Sequence, residues 1–89
     1  MLKPSYTTQF KRDYKLQSKR HQDLKLLDNI IEALAKKEPL PIRNKDHPLQ
    51  GDYKGYRECH VEPDWLLIYK IEDNNIYFVR TGTHSDLFN

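Results

Sequence analysis

The sequence predicts an α+β domain, ordered β-α-α-β-β-β with a short C-terminal helical turn. Two helices should pack on one face of a mainly antiparallel sheet. Three observations point there. Apolar residues step by three and four through the first half of the chain, the spacing of a helix with one buried face. Strand-like runs broken by turn residues fill the second half. The whole chain has 89 residues, which gives room for a single domain spanning 1–89. A chain of this size buries only about 60–65% of the surface its unfolded form exposes.

The opening residues 2–6 read as a first strand. Thr7 or Thr8 can cap a helix, because a hydroxyl there accepts from free backbone N–H groups. Phe10 and Tyr14 lie at i, i+4 on that helix, with Leu16 as a further candidate for the apolar face. A break is allowed at 18–22. A second helix starts near Asp23, with Leu24, Leu27, Ile30, Ile31 and Leu34 as its apolar stripe. Lys36 and Lys37 suit its last turn, and Pro39 and Pro41 stop it. Residues 42–54 read as a loop with a short edge strand near 48–50. In the strand that follows, Tyr56, Glu58 and His60 share one face, while Arg57, Cys59 and Val61 share the other. Glu62, Pro63 and Asp64 form a turn. Residues 65–71 are a central strand, residues 73–75 a hairpin turn, and residues 75–81 the returning strand ended by Gly82. Ser85 can cap a last helical turn that carries Leu87 and Phe88. The face away from the helices is expected to be open and concave, a natural place for a site.

Charge is unevenly spread. The net charge is only +2. Residues 1–45 carry 11 Lys and Arg against 5 Asp and Glu, a surplus of six; residues 46–89 carry 4 against 8, a deficit of four. Lys11, Lys15 and Lys19 are each four residues from the next and form one stripe, with Arg12 and Arg20 beside them. Such a surface suits a polyanion such as ribosomal RNA; ordinary solvated helix faces give the same pattern. One cysteine, Cys59, excludes an internal disulfide. No signal peptide is visible and no apolar run nears the ~20 residues of a membrane helix. A cytoplasmic setting with no membrane partner is expected.

Chemistry concentrates in His47, His60, Asp64 and His84. His60 and Asp64 flank one hairpin turn, and the last strand returns to the same sheet end with Arg80 and His84; a flexible loop can bring in His47. Each of these residues alone is more often structural or merely superficial. Their convergence is the signal. Histidine serves as acid or base near neutral pH, and arginine matches phosphate geometry. RNA cleavage needs both. Metal binding competes for the same residue types, but no His-Glu-x-x-His and no cysteine pair is present, so neither a metal nor another cofactor is expected. Cys59 falls on the strand face opposite His60 and reads as core.

Three segments carry a resemblance. They are Lys45-Asp46-His47-Pro48-Leu49-Gln50-Gly51, then Lys54-Gly55-Tyr56-Arg57-Glu58-Cys59-His60-Val61-Glu62-Pro63-Asp64-Trp65, and Arg80-Thr81-Gly82-Thr83-His84-Ser85-Asp86-Leu87-Phe88. The sequence resembles the YafQ branch of the RelE/ParE superfamily of bacterial toxins over nearly its whole length. The resemblance implies a RelE-like fold and a ribosome-dependent endoribonuclease that cuts mRNA in the A site. It implies a cognate antitoxin as partner, with operator DNA met only through the antitoxin complex. Its catalytic residues carry over to His47, His60, Asp64 and His84, its transition-state arginine to Arg80, and its base-holding aromatic to Phe88. Some members have Asp at the position of Glu58; the change keeps the charge but lengthens the side chain, so the resemblance leaves the role of Glu58 open. The alternatives are a ParE-like gyrase-inhibiting toxin, a non-catalytic RNA-binding module on the same fold, and a toxin that has lost its activity. Three convergent histidines argue against the gyrase poison, and the filled catalytic positions argue against an inactive toxin.

Overall fold

A computed structural model describes residues 1–88. The elements are β1 (Lys3–Tyr6), α1 (Thr8–Lys19), α2 (Leu24–Ala35), β2 (His47–Pro48), β3 (Arg57–Glu62), β4 (Trp65–Glu72), β5 (Asn75–Gly82) and α3 (His84–Phe88). Single 3-10 turns at Ile42–Asn44 and Gly51–Tyr53 were not expected.

The five strands form one sheet in the order β1-β5-β4-β3-β2. Only β1 runs parallel to its neighbour, β5; the other pairings are antiparallel. β4 is therefore central, and its apolar run is buried on both faces. Trp65, Leu67 and Tyr69 join the main core beneath α1 and α2, with Leu27, Ile30, Leu34, Phe10 and Phe78. Leu66 and Ile68 face the other way.

That second face is not open, as the sequence had suggested. Leu87 of α3 and Leu49, Tyr53 and Tyr56 from the 49–56 loop close over Leu66 and Ile68 as a small second core. Apolar β4 side chains on both faces require this cover. Other expectations also shift. The edge strand is His47–Pro48 rather than 48–50, so His47 sits on a paired strand and not on a flexible loop. α2 ends at Ala35, and Lys37 (φ 61°) lies in the left-handed region just after it, where Glu38 N donates to Ala33 O. Leu16 is exposed.

Capping fixes both ends of the helical layer. Thr7 Oγ1 accepts from Phe10 N at 2.9 Å and donates to Val79 O at 2.8 Å, tying the start of α1 to β5. Asp23 caps α2 by accepting from Lys25 N. α3 is capped by Thr83, not Ser85: Asp86 N donates to Thr83 Oγ1, and Thr83 N donates to Asp86 Oδ2.

Two irregularities in the ladder matter for the site. Between β4 and β5 the pairing steps from Tyr69↔Phe78 to Ile68↔Arg80, so Val79 is an extra residue. Strict alternation would put Arg80 on the helix-facing side with Phe78. The bulge turns it to the side of Ile68. A second shift lies between His60 and Glu62, where β3 meets its hairpin turn.

Candidate active site

Cross-strand pairing lays His47, Glu58, Ile68 and Arg80 in one row across β2, β3, β4 and β5. The next row holds His60, Leu66 and Gly82. Side chains of paired residues share a face, so His47, Glu58, His60 and Arg80 belong to one side of the sheet. α3 follows Gly82 at the end of that row and delivers His84.

The expected convergence is present. His84 and Asp64 are bonded: the Asp64 carboxylate oxygen Oδ1 accepts from His84 Nδ1 at 2.6 Å and from His84 N at 3.0 Å. These bonds, the backbone one foremost, hold the Asp64 carboxyl below its ordinary range. With Nδ1–H committed to a carboxylate, Nε2 is the ring nitrogen left to take up or give a proton. The His60 and His84 rings are 5.8 Å apart between centroids.

Glu58, which the sequence left without a role, lies in the centre of the cluster. Its Oε1 is 3.4 Å from His47 Nε2 and 3.3 Å from His60 Nε2, and the carboxylate is buried while His47 is half exposed. The other ring nitrogens face backbone carbonyls: His47 Nδ1 lies 3.0 Å from Pro48 O, and His60 Nδ1 3.3 Å from Pro63 O. In the tautomer that satisfies those carbonyls, each Nδ1 carries the proton and each Nε2 turns a lone pair towards Glu58. In that tautomer two lone pairs and a carboxylate face one another, an arrangement that can take up a cation.

The same residues are placed so that they could hold a metal ion. Ligand atoms of His47, Glu58 and His60 all lie within 4.8 Å of one another. The two shorter separations match the ligand–ligand edge of about 3.3 Å that follows from zinc bonds of about 2.0–2.1 Å in tetrahedral geometry. Spacing along the chain concealed this, because β2 and β3 become neighbours only by pairing.

Supporting bonds hold the cluster. Asn44 Nδ2 donates to His60 O at 2.7 Å. Tyr69 OH donates to Asp46 Oδ1 at 2.6 Å, and Arg57 Nε reaches both at 3.3 Å, anchoring the residue next to His47. Arg80 is held by Asp13 of α1, through Nε at 2.7 Å and Nη2 at 3.3 Å. That bond pushes Arg80 further up, so it is a permanent cation. Nothing in the sequence pointed to Asp13, whose partner is 67 residues away.

Phe88 is partly exposed and meets Tyr53 edge-on at 5.7 Å between centroids, and Tyr53 meets Tyr56 the same way at 6.0 Å. This aromatic group gives a base something to stack on. Cys59 is fully buried, and burial pushes its thiol up to about 12, so it is no nucleophile at neutral pH. Lys11, Lys15 and Lys19 are exposed along α1 as expected. Arg20 is not free to join them: its guanidinium is committed to Asp86, with Nη1 at 2.6 Å and Nη2 at 3.2 Å. Nor does α1 lie wholly away from the site, since Asp13 and Arg20 both reach it.

Comparisons with known proteins place the chain in a family. The family model for YafQ, a bacterial toxin of type II toxin–antitoxin systems, matches residues 2–89. The mRNA interferase toxin YafQ of Escherichia coli K12 is 52% identical over 84 residues, covering 93% of this chain and 91% of that protein. YafQ in the E. coli DinJ–YafQ complex superimposes with a TM-score of 0.92 at 49% identity, covering all of both chains. A metal-bound toxin from Helicobacter pylori superimposes with a TM-score of 0.93 at 44% identity, covering 99% of this chain and all of that one.

Proposed function

The chain belongs to the YafQ family of type II toxin–antitoxin toxins, and from that premise we propose how its residues cut RNA. It is an mRNA interferase, an endoribonuclease, rather than a gyrase poison or a passive RNA-binding module. Its partner is a cognate antitoxin, as DinJ is for the E. coli protein.

The reading rests above all on one observation: the His60 and His84 rings lie 5.8 Å apart, one beside Glu58 and the other bonded to Asp64. His60 Nε2 takes the 2′-hydroxyl proton, and the Glu58 carboxylate beside it balances the charge that results. The 2′-oxygen then bonds to phosphorus, and the bond from phosphorus to the 5′-oxygen breaks. His84, fixed through Nδ1 by Asp64, gives its Nε2 proton to that leaving oxygen. Arg80 faces the negative phosphorane, and His47 assists the base or meets the phosphate. Phe88 holds a neighbouring base. The substrate is mRNA in the ribosomal A site, where the exposed Lys11, Lys15 and Lys19 meet ribosomal RNA phosphates. Operator DNA is met only through the antitoxin complex. Proton-transfer groups suffice for every step, and none is routed through a metal.

The H. pylori relative is metal-bound, and His47, Glu58 and His60 would hold a divalent transition ion here. An ion bound there supplies Lewis acidity but leaves the same lone pairs unavailable for proton transfer. Zinc should therefore suppress cleavage in step with its occupancy, measured by titration calorimetry beside the cleavage rate. Cleavage that rises with zinc would contradict metal-independent chemistry.

The direct test of the acid is His84→Ala, compared with wild type in cleavage of ribosome-bound mRNA. A rate lower by about 10²–10⁴-fold is expected, with fold and antitoxin binding kept. A near wild-type rate would overturn the assignment.

A further inference from the structure

We propose that Asp13 is a positioning residue for RNA cleavage, holding one edge of Arg80 so that the opposite edge meets the phosphate. The proposal rests on Arg80 acting at the phosphate as described above.

Asp13 is buried, yet its carboxylate collects four donors. Oδ2 accepts from Arg80 Nε at 2.7 Å and from Thr81 N at 3.1 Å; Oδ1 accepts from Arg80 Nη2 at 3.3 Å and from Gln9 Nε2 at 3.1 Å. A guanidinium has five N–H donors in a fixed plane. Asp13 takes the Nε–Nη2 edge. The Nη1–Nη2 edge keeps the paired geometry that suits two phosphate oxygens.

Two separate devices aim that edge. The β5 bulge at Val79 puts Arg80 on the side of Ile68, in the row of His47 and Glu58. Asp13 then fixes the end of a side chain that is otherwise free about four bonds. A free arginine would lose that freedom on binding the transition state; here it is lost on folding. The Asp13 bond to Thr81 N ties the clamp to the strand that bears Arg80, so α1 and β5 cannot drift apart without moving both. The pair also shows why a buried carboxylate is tolerated in so small a core: its charge is matched and its oxygens are satisfied.

A merely structural role would make the loss of Asp13 and the loss of Arg80 independent. The test is a double-variant cycle on single-turnover cleavage with Asp13→Asn, Arg80→Ala and both together, each checked for thermal stability. Asp13→Asn should slow cleavage about 10–100-fold, the scale of a misplaced catalytic group, with RNA affinity little changed. In the Arg80→Ala background it should cost nothing further. Added guanidinium should restore part of the rate to Arg80→Ala but not to the double variant, because Asp13 is what holds the added ion. This second measurement stands even if Asp13→Asn alone folds poorly. Additive losses, or equal rescue with and without Asp13, would overturn the proposal and leave the role of Arg80 standing. Full activity in Arg80→Ala would contradict the role of Arg80 itself and the proposal with it.

Discussion

Glu58 gains its importance from its two imidazole neighbours. Glu58→Gln keeps the shape and removes the charge that balances a proton on His60. Cleavage should fall by about 10²-fold or more while thermal stability changes little, measured by single-turnover rates beside a melting curve. An unchanged rate would mean the carboxylate is only structural. How far such residues could be read in advance differs by residue. His60 and Glu58 were legible as neighbours, because residues two apart on a strand share a face. The nearness of Asp64 and His84 was legible from topology, since one hairpin returns the chain to its starting end; their bond was not. Asp13 was not: a helix residue and a strand residue 67 positions apart meet only through packing, which local periodicity does not encode. Glu58 was visible but underrated, because its nearness to His47 depends on the pairing of a two-residue strand.

At the scale of elements, the short helix α3 carries both His84 and Phe88 and has too few residues to be stable alone. Beside the buried Leu87, Asp86 ties it to the body: Arg20 grips Asp86 from the end of α1, and Thr83 bonds it within the cap. The Arg20 guanidinium, first among these, holds the Asp86 carboxyl down at about 2. A carboxyl lowered on folding stabilises the folded chain above its unfolded pKa, and that contribution fades as pH falls through the folded value. Arg20→Ala should thus cost about 1 kcal/mol at neutral pH, a value discounted for solvent screening. The difference from wild type should close between about pH 4 and about pH 2, followed by urea denaturation. A gap that persists in acid would assign the loss to packing instead. Gly82 serves the same element. A Cβ there would lie 2.8 Å from Asp86 Oδ2 and 3.0 Å from Asp86 Cβ. Gly82→Ala should displace α3 and slow cleavage with the main core intact. The order of the long elements followed from periodicity and turn residues. The bulge at Val79 did not, because a bulge leaves no mark in an apolar pattern that suits a buried strand on either face.

For the whole molecule, the two sides of the sheet divide the work. The helix side supplies the core, and the other side carries the proposed chemistry, partly roofed by the 49–56 loop and α3. The exposed lysine stripe on α1 lies outside both, and in the proposed reading it attracts RNA at long range. Changing Lys11, Lys15 and Lys19 together to Gln should weaken ribosome association and flatten its salt dependence, with cleavage per bound complex little changed. Ribosome binding equal to wild type across a salt titration would refute that use of the stripe. The charge imbalance between the halves was legible from composition. Arg20 was lost from it only because its partner, Asp86, lies in the other half of the chain. The central claim is that proton transfer between histidines, with the 2′-hydroxyl as nucleophile, breaks the RNA chain. Its most direct test is the chemistry of the ends left on ribosome-bound mRNA by the purified protein. Proton transfer of this kind leaves a 2′,3′-cyclic phosphate, or the 3′-phosphate formed from it, opposite a 5′-hydroxyl; a 5′-phosphate opposite a 3′-hydroxyl would contradict it.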